Sequence, residues 1–163
     1  MKDRGFSLLE LTVVLVLLGL FAALMAPSFS RFSKSVELKA TVKKVAAILR
    51  YYRSETVSKG KVHQVFFDSN LMVVKGQLIE TEDEKEAGQS EAAASPRSFS
   101  IPAGVQMKEL NIESTQYPSD LPAIEFYPNG GSNGGNFILD TQSQKGFRIK
   151  VNFLTGTVVI EKV

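Results

Sequence analysis

Glu10 places a carboxylate where lipid chemistry disfavours one. It stands at the head of an apolar stretch in which residues 11 to 30, LTVVLVLLGLFAALMAPSFS, are 20 consecutive residues without a charge. At about 1.5 Å rise per residue such a run covers the roughly 30 Å hydrocarbon core of a bilayer. A charged group there costs about 2.5–3.5 kcal/mol near the helix centre and less at the interface, so a retained acid calls for a cationic partner. The intact chain offers no equally close cation on that helix face, because Arg4 is six residues away and lies outside the run. If the chain were cut after Gly5, the new α-amino group of Phe6 would be positively charged and one helical turn from Glu10, at i and i+4. Glu10 would also favour the positive end of the new helix. A secretory signal peptide is the competing reading, since Lys2 and Arg4 precede an apolar stretch. Against it, the run exceeds the usual length of about 7–15 residues, and a signal peptide has no use for the carboxylate.

Other chemistry is poorly supplied. The chain has 163 residues, one histidine and no cysteine, which excludes disulfides, thiolate metal sites and cysteine nucleophiles. His63 alone cannot build a two-histidine zinc site, and no Ser-His-Asp order or carboxylate pair assembles around it. It reads as a surface or edge-strand histidine. Between Glu80 and Arg97 lie Glu80, Glu82, Asp83, Glu84, Glu86 and Glu91, but without the Asp-x-Asp-x-Asp-Gly pattern of a calcium loop. The glycine-rich stretch from Asn129 to Asn136 lacks a closing Gly-Lys-Ser/Thr and precedes strand-like residues, so it reads as a long turn and not a phosphate cradle. No catalytic residue, metal or cofactor is assigned, and the chain is not read as an enzyme.

The residues Arg4-Gly5-Phe6-Ser7-Leu8-Leu9-Glu10-Leu11, followed by the uncharged run, resemble the class III prepilin signal of type IV pilins and type II secretion pseudopilins. The resemblance joins a short basic leader, a Gly-Phe junction, a Glu four residues beyond that Phe and an immediate membrane helix. It implies that a prepilin peptidase removes residues 1–5 by cleavage between Gly5 and Phe6 on the cytoplasmic side and methylates the Phe6 amine. It further implies that Glu10 pairs with the N-terminal amine of a neighbouring subunit as a filament assembles. Charge alone does not orient the segment, because Lys2 and Arg4 face Arg31, Lys34, Lys39, Lys43 and Lys44 on the other side. The resemblance puts the N terminus in the cytoplasm and the remainder outside the bacterial inner membrane.

These residues must be positioned by a helix. The expected organisation is a leader (1–5), a transmembrane or filament-core helix (6–30), an amphipathic stem (31–60) and a β-rich periplasmic head (61–163). In the stem, Leu38, Val42, Val45, Leu49 and Tyr52 recur at spacings of four and three, one face of a helix. Pro27 should kink or loosen a helix otherwise running from about Ser7 to Ser58. Nine basic residues against Glu37 and Glu55 give residues 31–61 a local charge of +7. This reads as a solvated or subunit-facing surface, with a nucleic-acid footprint as the rival.

Beyond Gly60 short apolar runs alternate with turn signals: 62–67, 71–79, 99–101, 105–112, 124–127, 137–139, 147–153 and 157–160. These predict strands, with hairpin turns at Asp68-Ser69-Asn70 and Leu154-Thr155-Gly156. Residues 80–97 are expected to form a mobile acidic loop. The fold class is α+β, a long N-terminal helix packed on an antiparallel sheet, two-layered over the stem stripe. Ile124 to Gly131, the glycine stretch, Phe137-Ile138-Leu139 and Val151 to Val158 together resemble the carboxy-terminal pattern of H-type minor pseudopilins and the related FimT-like minor pilins. The resemblance implies a minor pseudopilin of a type II secretion system at or near the tip of its filament. Its implied partners are other pseudopilins, prepilin peptidase, inner-membrane lipid and the secretion platform. A FimT-like minor type IV pilin is the alternative, with nucleic acid as a less favoured partner because the chain ends Glu161-Lys162-Val163 and not in a basic tail.

Overall fold

The computed structural model of the chain describes residues 7–79, 98–142 and 144–163, without side chains at 23–32 and 144–145. Gly5, Phe6 and the acidic segment 80–97 lie outside the described residues. Ser7 opens the helix α1 (Leu8–Lys59): its Oγ accepts the backbone N–H of Glu10 at 3.2 Å. Ser7-x-x-Glu10 has the spacing of a capping box, in which a hydroxyl satisfies a free amide of the first turn. Gly60 closes the helix with φ +68° and an N–H bonded to the Thr56 carbonyl at 2.9 Å, a left-handed conformation that glycine adopts without Cβ strain. Helical structure is assigned through Pro27, whose side chain lies outside those described.

Packing divides the chain into a unit ending at Val36 and one from Glu37 to Val163. In the first, side chains from Ser7 to Ala22 are exposed, Leu8 at 85%. Among the described residues no helix is long and apolar enough to cross a membrane; the described side chains of the uncharged run end at Ala22.

In the second unit, the predicted stripe is the centre of the core. Leu38, Val42, Val45, Leu49 and Tyr52 are all buried. Eight strands follow: β1 (His63–Asp68), β2 (Val73–Leu78), β3 (Ser98–Ser100), β4 (Gln106–Ile112), β5 (Ala123–Phe126), β6 (Gly135–Thr141), β7 (Gln144–Val151) and β8 (Val158–Lys162). They form two four-stranded antiparallel sheets, in the orders β3-β2-β1-β5 and β4-β6-β7-β8. The chain leaves the first sheet after β3, returns to add β5 beside β1, then completes the second. Val65, Phe67 and Phe126 of one sheet and Phe137, Leu139 and Ile149 of the other share the core with the stripe. Phe67 and Phe137 meet across the sheets with ring centroids 4.8 Å apart, within the range of favourable aromatic packing.

Tyr52 also explains a gap in β2. Gly76 has no side chain to pack, and the Tyr52 ring fills its place: a Cβ built on Gly76 would overlap the ring. The Tyr52 hydroxyl donates to the Gly76 carbonyl at 2.9 Å. Helix and sheet are thereby fastened at Gly76.

Candidate functional site

Glu10 is exposed and sits one turn into α1, where the free amides of a helix start favour a negative charge. The capping geometry of Ser7 fixes where the helix begins, so Glu10 stands at a defined place on the first turn. Its expected partner, the Phe6 amine, belongs to the residues outside the described set. Ser7-x-x-Glu10 is the sequence signal that a reading centred on charge pairing passes over.

The carboxy-terminal pattern resolves into two loops locked together. The loop from Tyr127 to Gly134 joins β5 of one sheet to β6 of the other, and residues 152–157 join β7 to β8. Ser132 N–H donates to the Phe153 carbonyl at 2.9 Å, and Tyr127 N–H to the Gly131 carbonyl at 3.0 Å. Asn152 Oδ1 accepts the amides of Leu154 and Thr155 at 3.0 and 3.1 Å, an Asx turn that fixes the hairpin. A Cβ on Gly156, where φ is +60°, would lie 2.6 Å from the Gly130 carbonyl. Gly156 is required by the approach of backbone to backbone, and Gly130 by its φ of +85°. From the helix, Arg53 Nε donates to the Thr155 carbonyl at 2.9 Å and Arg50 Nη2 to the Val158 carbonyl at 3.0 Å.

These contacts bear on the basic stem face. Arg50 and Arg53 cap carbonyls of the β7–β8 hairpin, Lys59 pairs with Glu55 at 2.7 Å, and Lys44 lies over the Phe99 ring at 4.7 Å from its centroid. Lys39 and Lys43 are exposed. Three of the nine basic residues, Lys44, Arg50 and Arg53, hold the helix to its own head.

Glu125 is the buried polar residue that the sequence does not reveal. It points to the outer side of β5 yet is fully buried, because the chain between β4 and β5 crosses over it. Its Oε1 accepts from Gln64 Nε2 at 2.7 Å and Tyr117 N–H at 3.0 Å; its Oε2 accepts from Gln116 N–H and Tyr127 Oη, both at 2.8 Å. Asn133 completes the arrangement: its Oδ1 accepts the Glu125 N–H at 2.9 Å, and its Nδ2 donates to the carbonyls of Glu113 and Ala123. Burial, and then the Glu125 carboxylate, push the Tyr127 phenol well above its ordinary range. Tyr127 therefore stays a donor.

His63 departs from expectation. Instead of lying on the surface or on an edge strand, it is 5% exposed on β1, an inner strand of its sheet. The cause is the return of β5, which covers the second edge of β1, together with the end of α1 above it. Thr56 Oγ1 donates to the Tyr52 carbonyl at 2.8 Å, so it presents lone pairs to His63 Nδ1 at 2.9 Å, and the Lys61 carbonyl lies 3.0 Å from the same atom. Two acceptors around Nδ1 assign the proton to it. Burial lowers the His63 pKa below its ordinary 6.5, a backbone bond from Lys61 and the charge of Glu55 opposing it. A group whose folded pKa is depressed takes up protons more readily when unfolded, so stability present above about pH 6.5 is lost as pH falls towards the folded value. His63→Gln is expected to flatten this part of the profile. Chemical denaturation of wild type and variant between pH 8 and pH 5 checks it, with parallel profiles as the contrary result.

Among the described residues no group of three or more His, Asp or Glu side chains is placed to hold a metal ion. Two features remain as candidates, the helix-start motif of the first unit and the interlocked pair of loops in the second. A model of the prokaryotic N-terminal methylation motif matches residues 1–26, and one of the type II transport protein GspH matches residues 41–155, well over half of the chain. The chain belongs to the GspH family. The GspH match takes in the stem stripe from Val42 onward, the strands from β1 to β7, the loop 127–134 and the second loop as far as Thr155. The type II secretion system protein H of Xanthomonas campestris pv. campestris is 26% identical over 155 residues, which are 95% of this chain and 81% of that protein. The minor pseudopilin EpsH from the type 2 secretion system of Vibrio cholerae superposes with a TM-score of 0.58 at 10% identity, over 77% of this chain and 95% of that one. The Pseudomonas aeruginosa type IV minor pilin FimU gives 0.55 at 18% identity, over 80% and 92%. These two likenesses establish the pilin-like fold of a GspH-family chain: an N-terminal helix on antiparallel sheets, as expected from the sequence.

Proposed function

We propose that the chain works as a minor pseudopilin of a type II secretion system, anchored in the inner membrane by its N-terminal helix and holding its β head in the periplasm at or near the tip of a short filament. The observation that carries this reading is the presence on one chain of the methylation motif over residues 1–26 and the GspH body over residues 41–155. In this reading prepilin peptidase cuts between Gly5 and Phe6 and methylates Phe6. Glu10 then pairs with the amine of a neighbouring subunit, and Pro27 is where the helix bends. The partners are other pseudopilins, membrane lipid and the secretion platform. The chain acts mechanically and the reading gives it no catalytic role. The fold shared with FimU supports a minor type IV pilin as the second reading.

Intact mass of the protein from membranes of cells with and without prepilin peptidase tests the first step. The wild-type chain is expected to lose residues 1–5 and gain one methyl group only when the peptidase is present, and Gly5→Ala is expected to stay uncut. An uncut wild-type chain would overturn the filament-subunit reading, and cleavage beyond Ser28 would restore the signal-peptide reading. Complementation of a strain lacking its own protein H, scored for protein export and for surface pili, separates the two filament types.

A further inference from the structure

The interlocked loops border an open cleft of about 1240 Å³ at one end of the second sheet. Its floor is a cross-strand row, Asn111 on β4, Asn136 on β6 and Lys150 on β7, placed side by side by the registers Asn111↔Asn136 and Asn136↔Lys150. Paired residues project to the same side of a sheet. Among the described residues neither amide side chain has a hydrogen-bond partner, and Lys150 has no ion pair. Phe153 stands at the rim, 61% exposed. Its position is fixed, because its carbonyl accepts the Ser132 N–H at 2.9 Å and its Cβ lies 3.0 Å from where a Gly134 Cβ would be.

We infer that this cleft binds a carbohydrate chain. Each amide offers two donors and a carbonyl acceptor, which suits vicinal hydroxyls and acetamido groups that both donate and accept. An exposed aromatic ring on an anchored stretch of backbone offers a π-face to the axial C–H bonds of a pyranose, the positive edge of the sugar meeting the negative face of the ring. The spacing agrees. Adjacent strands lie about 4.8 Å apart, close to the advance per sugar of a β-1,4-linked hexopyranose chain, so successive sugars running across the strands would meet Asn111, Asn136 and Lys150 in turn. A peptide strand added to a sheet would run along the strands at an edge instead. A nucleic acid would need several cations to neutralise its phosphates, whereas the cleft presents Lys150 and also Glu113. The inference goes beyond the pseudopilin reading and does not depend on it.

Calorimetric titration of the full chain, purified in a detergent without a sugar headgroup, with a hexamer of β-1,4-linked N-acetylglucosamine tests the site. Saturable binding is expected, weakened at least about tenfold by Asn136→Ala and by Phe153→Ala, which corresponds to about 1.4 kcal/mol. Lys162→Ala, away from the cleft, is expected to bind as wild type, and thermal melts of all variants are expected to match. Absence of binding by the folded wild-type chain overturns the inference, as does binding that the two cleft variants leave unchanged. Competition by an extended peptide or a DNA duplex, with the glycan bound no more tightly than either, overturns it in favour of that class. Cleavage at Gly5 and export complementation are read separately, so failure here leaves the secretion assignment untouched.

Discussion

Glu125→Ala is expected to lower the stability of the head by about 4 kcal/mol. Among the described residues the carboxylate has no cationic partner; four donors from four separate residues hold it, two of them backbone amides of the segment that crosses over β5. Hydrogen bonds to a charged group contribute about 1.5–3 kcal/mol each, and donors left unsatisfied inside the fold cost about 1–3 kcal/mol. Relaxation and entering water recover part of that sum, which sets the expected value below it. Glu125→Gln keeps the volume but turns an NH₂ towards either Gln64 and Tyr117 N–H or Gln116 N–H and Tyr127 Oη, so donor meets donor whichever way the amide is turned. A loss of about 2 kcal/mol follows. Glu109→Gln supplies the contrast: Glu109 pairs with Arg148 at 3.2 Å on the surface, and such pairs contribute about 0–1 kcal/mol. Urea midpoints at constant slope measure all three. Equal losses for Glu125→Gln and Glu109→Gln would show that the buried carboxylate does not hold the crossing segment.

Gly76→Val is expected to be costlier still, abolishing a cooperative unfolding transition at 37 °C. The ring of Tyr52 occupies the space of the missing side chain, and the ring cannot swing away without breaking its bond to the Gly76 carbonyl. The milder Gly76→Ala isolates the cause. It is expected to destabilise by about 3 kcal/mol in the wild-type chain through overpacking, yet to be nearly neutral in a Tyr52→Ala background, where the volume has been vacated. A double-mutant cycle should therefore return a coupling of about 2 kcal/mol or more. Additive losses would place the effect in strand propensity and not in the meeting of Tyr52 with β2.

What the sequence discloses, and what it hides, follows the range of the interactions. The stem stripe is local and periodic, so Leu38, Val42, Val45, Leu49 and Tyr52 are legible as a buried face from their spacing alone. The strands are legible for the same reason, each from its own alternation and its flanking turns. The hairpin turns at Asp68-Ser69-Asn70 and Leu154-Thr155-Gly156 are legible too; Asp68 closes the first from inside it, while Asn152 closes the second from two residues before it. The burial of His63 and Glu125 is not legible. Glu125 looks like a polar residue on the outer side of a strand and is buried by a segment that crosses it, while His63 shares the face of Val65 and Phe67 and is buried under Tyr52 and Thr56 at the end of α1; neither covering is part of the strand's own pattern. Gly76 falls between these cases: an isolated glycine inside a strand pattern signals close approach of another group, though not which one. At the N terminus the motif itself is legible, while the exposed face of α1 carries no record of which neighbour covers it.

The strand order has a consequence in time. Synthesis delivers β1 long before β5, and Gln64 and Glu125, which bond in the finished head, are 61 positions apart. At 5–20 residues per second that is an interval of about 3–12 s. Throughout it, β1 is able to pair with β2 on one edge while its other edge stays open, and Phe67 still lacks the ring of Phe137. The centre of the first sheet is therefore its last part to mature. A nascent chain must keep that open edge from meeting the same edge of another copy until β5 arrives to close it.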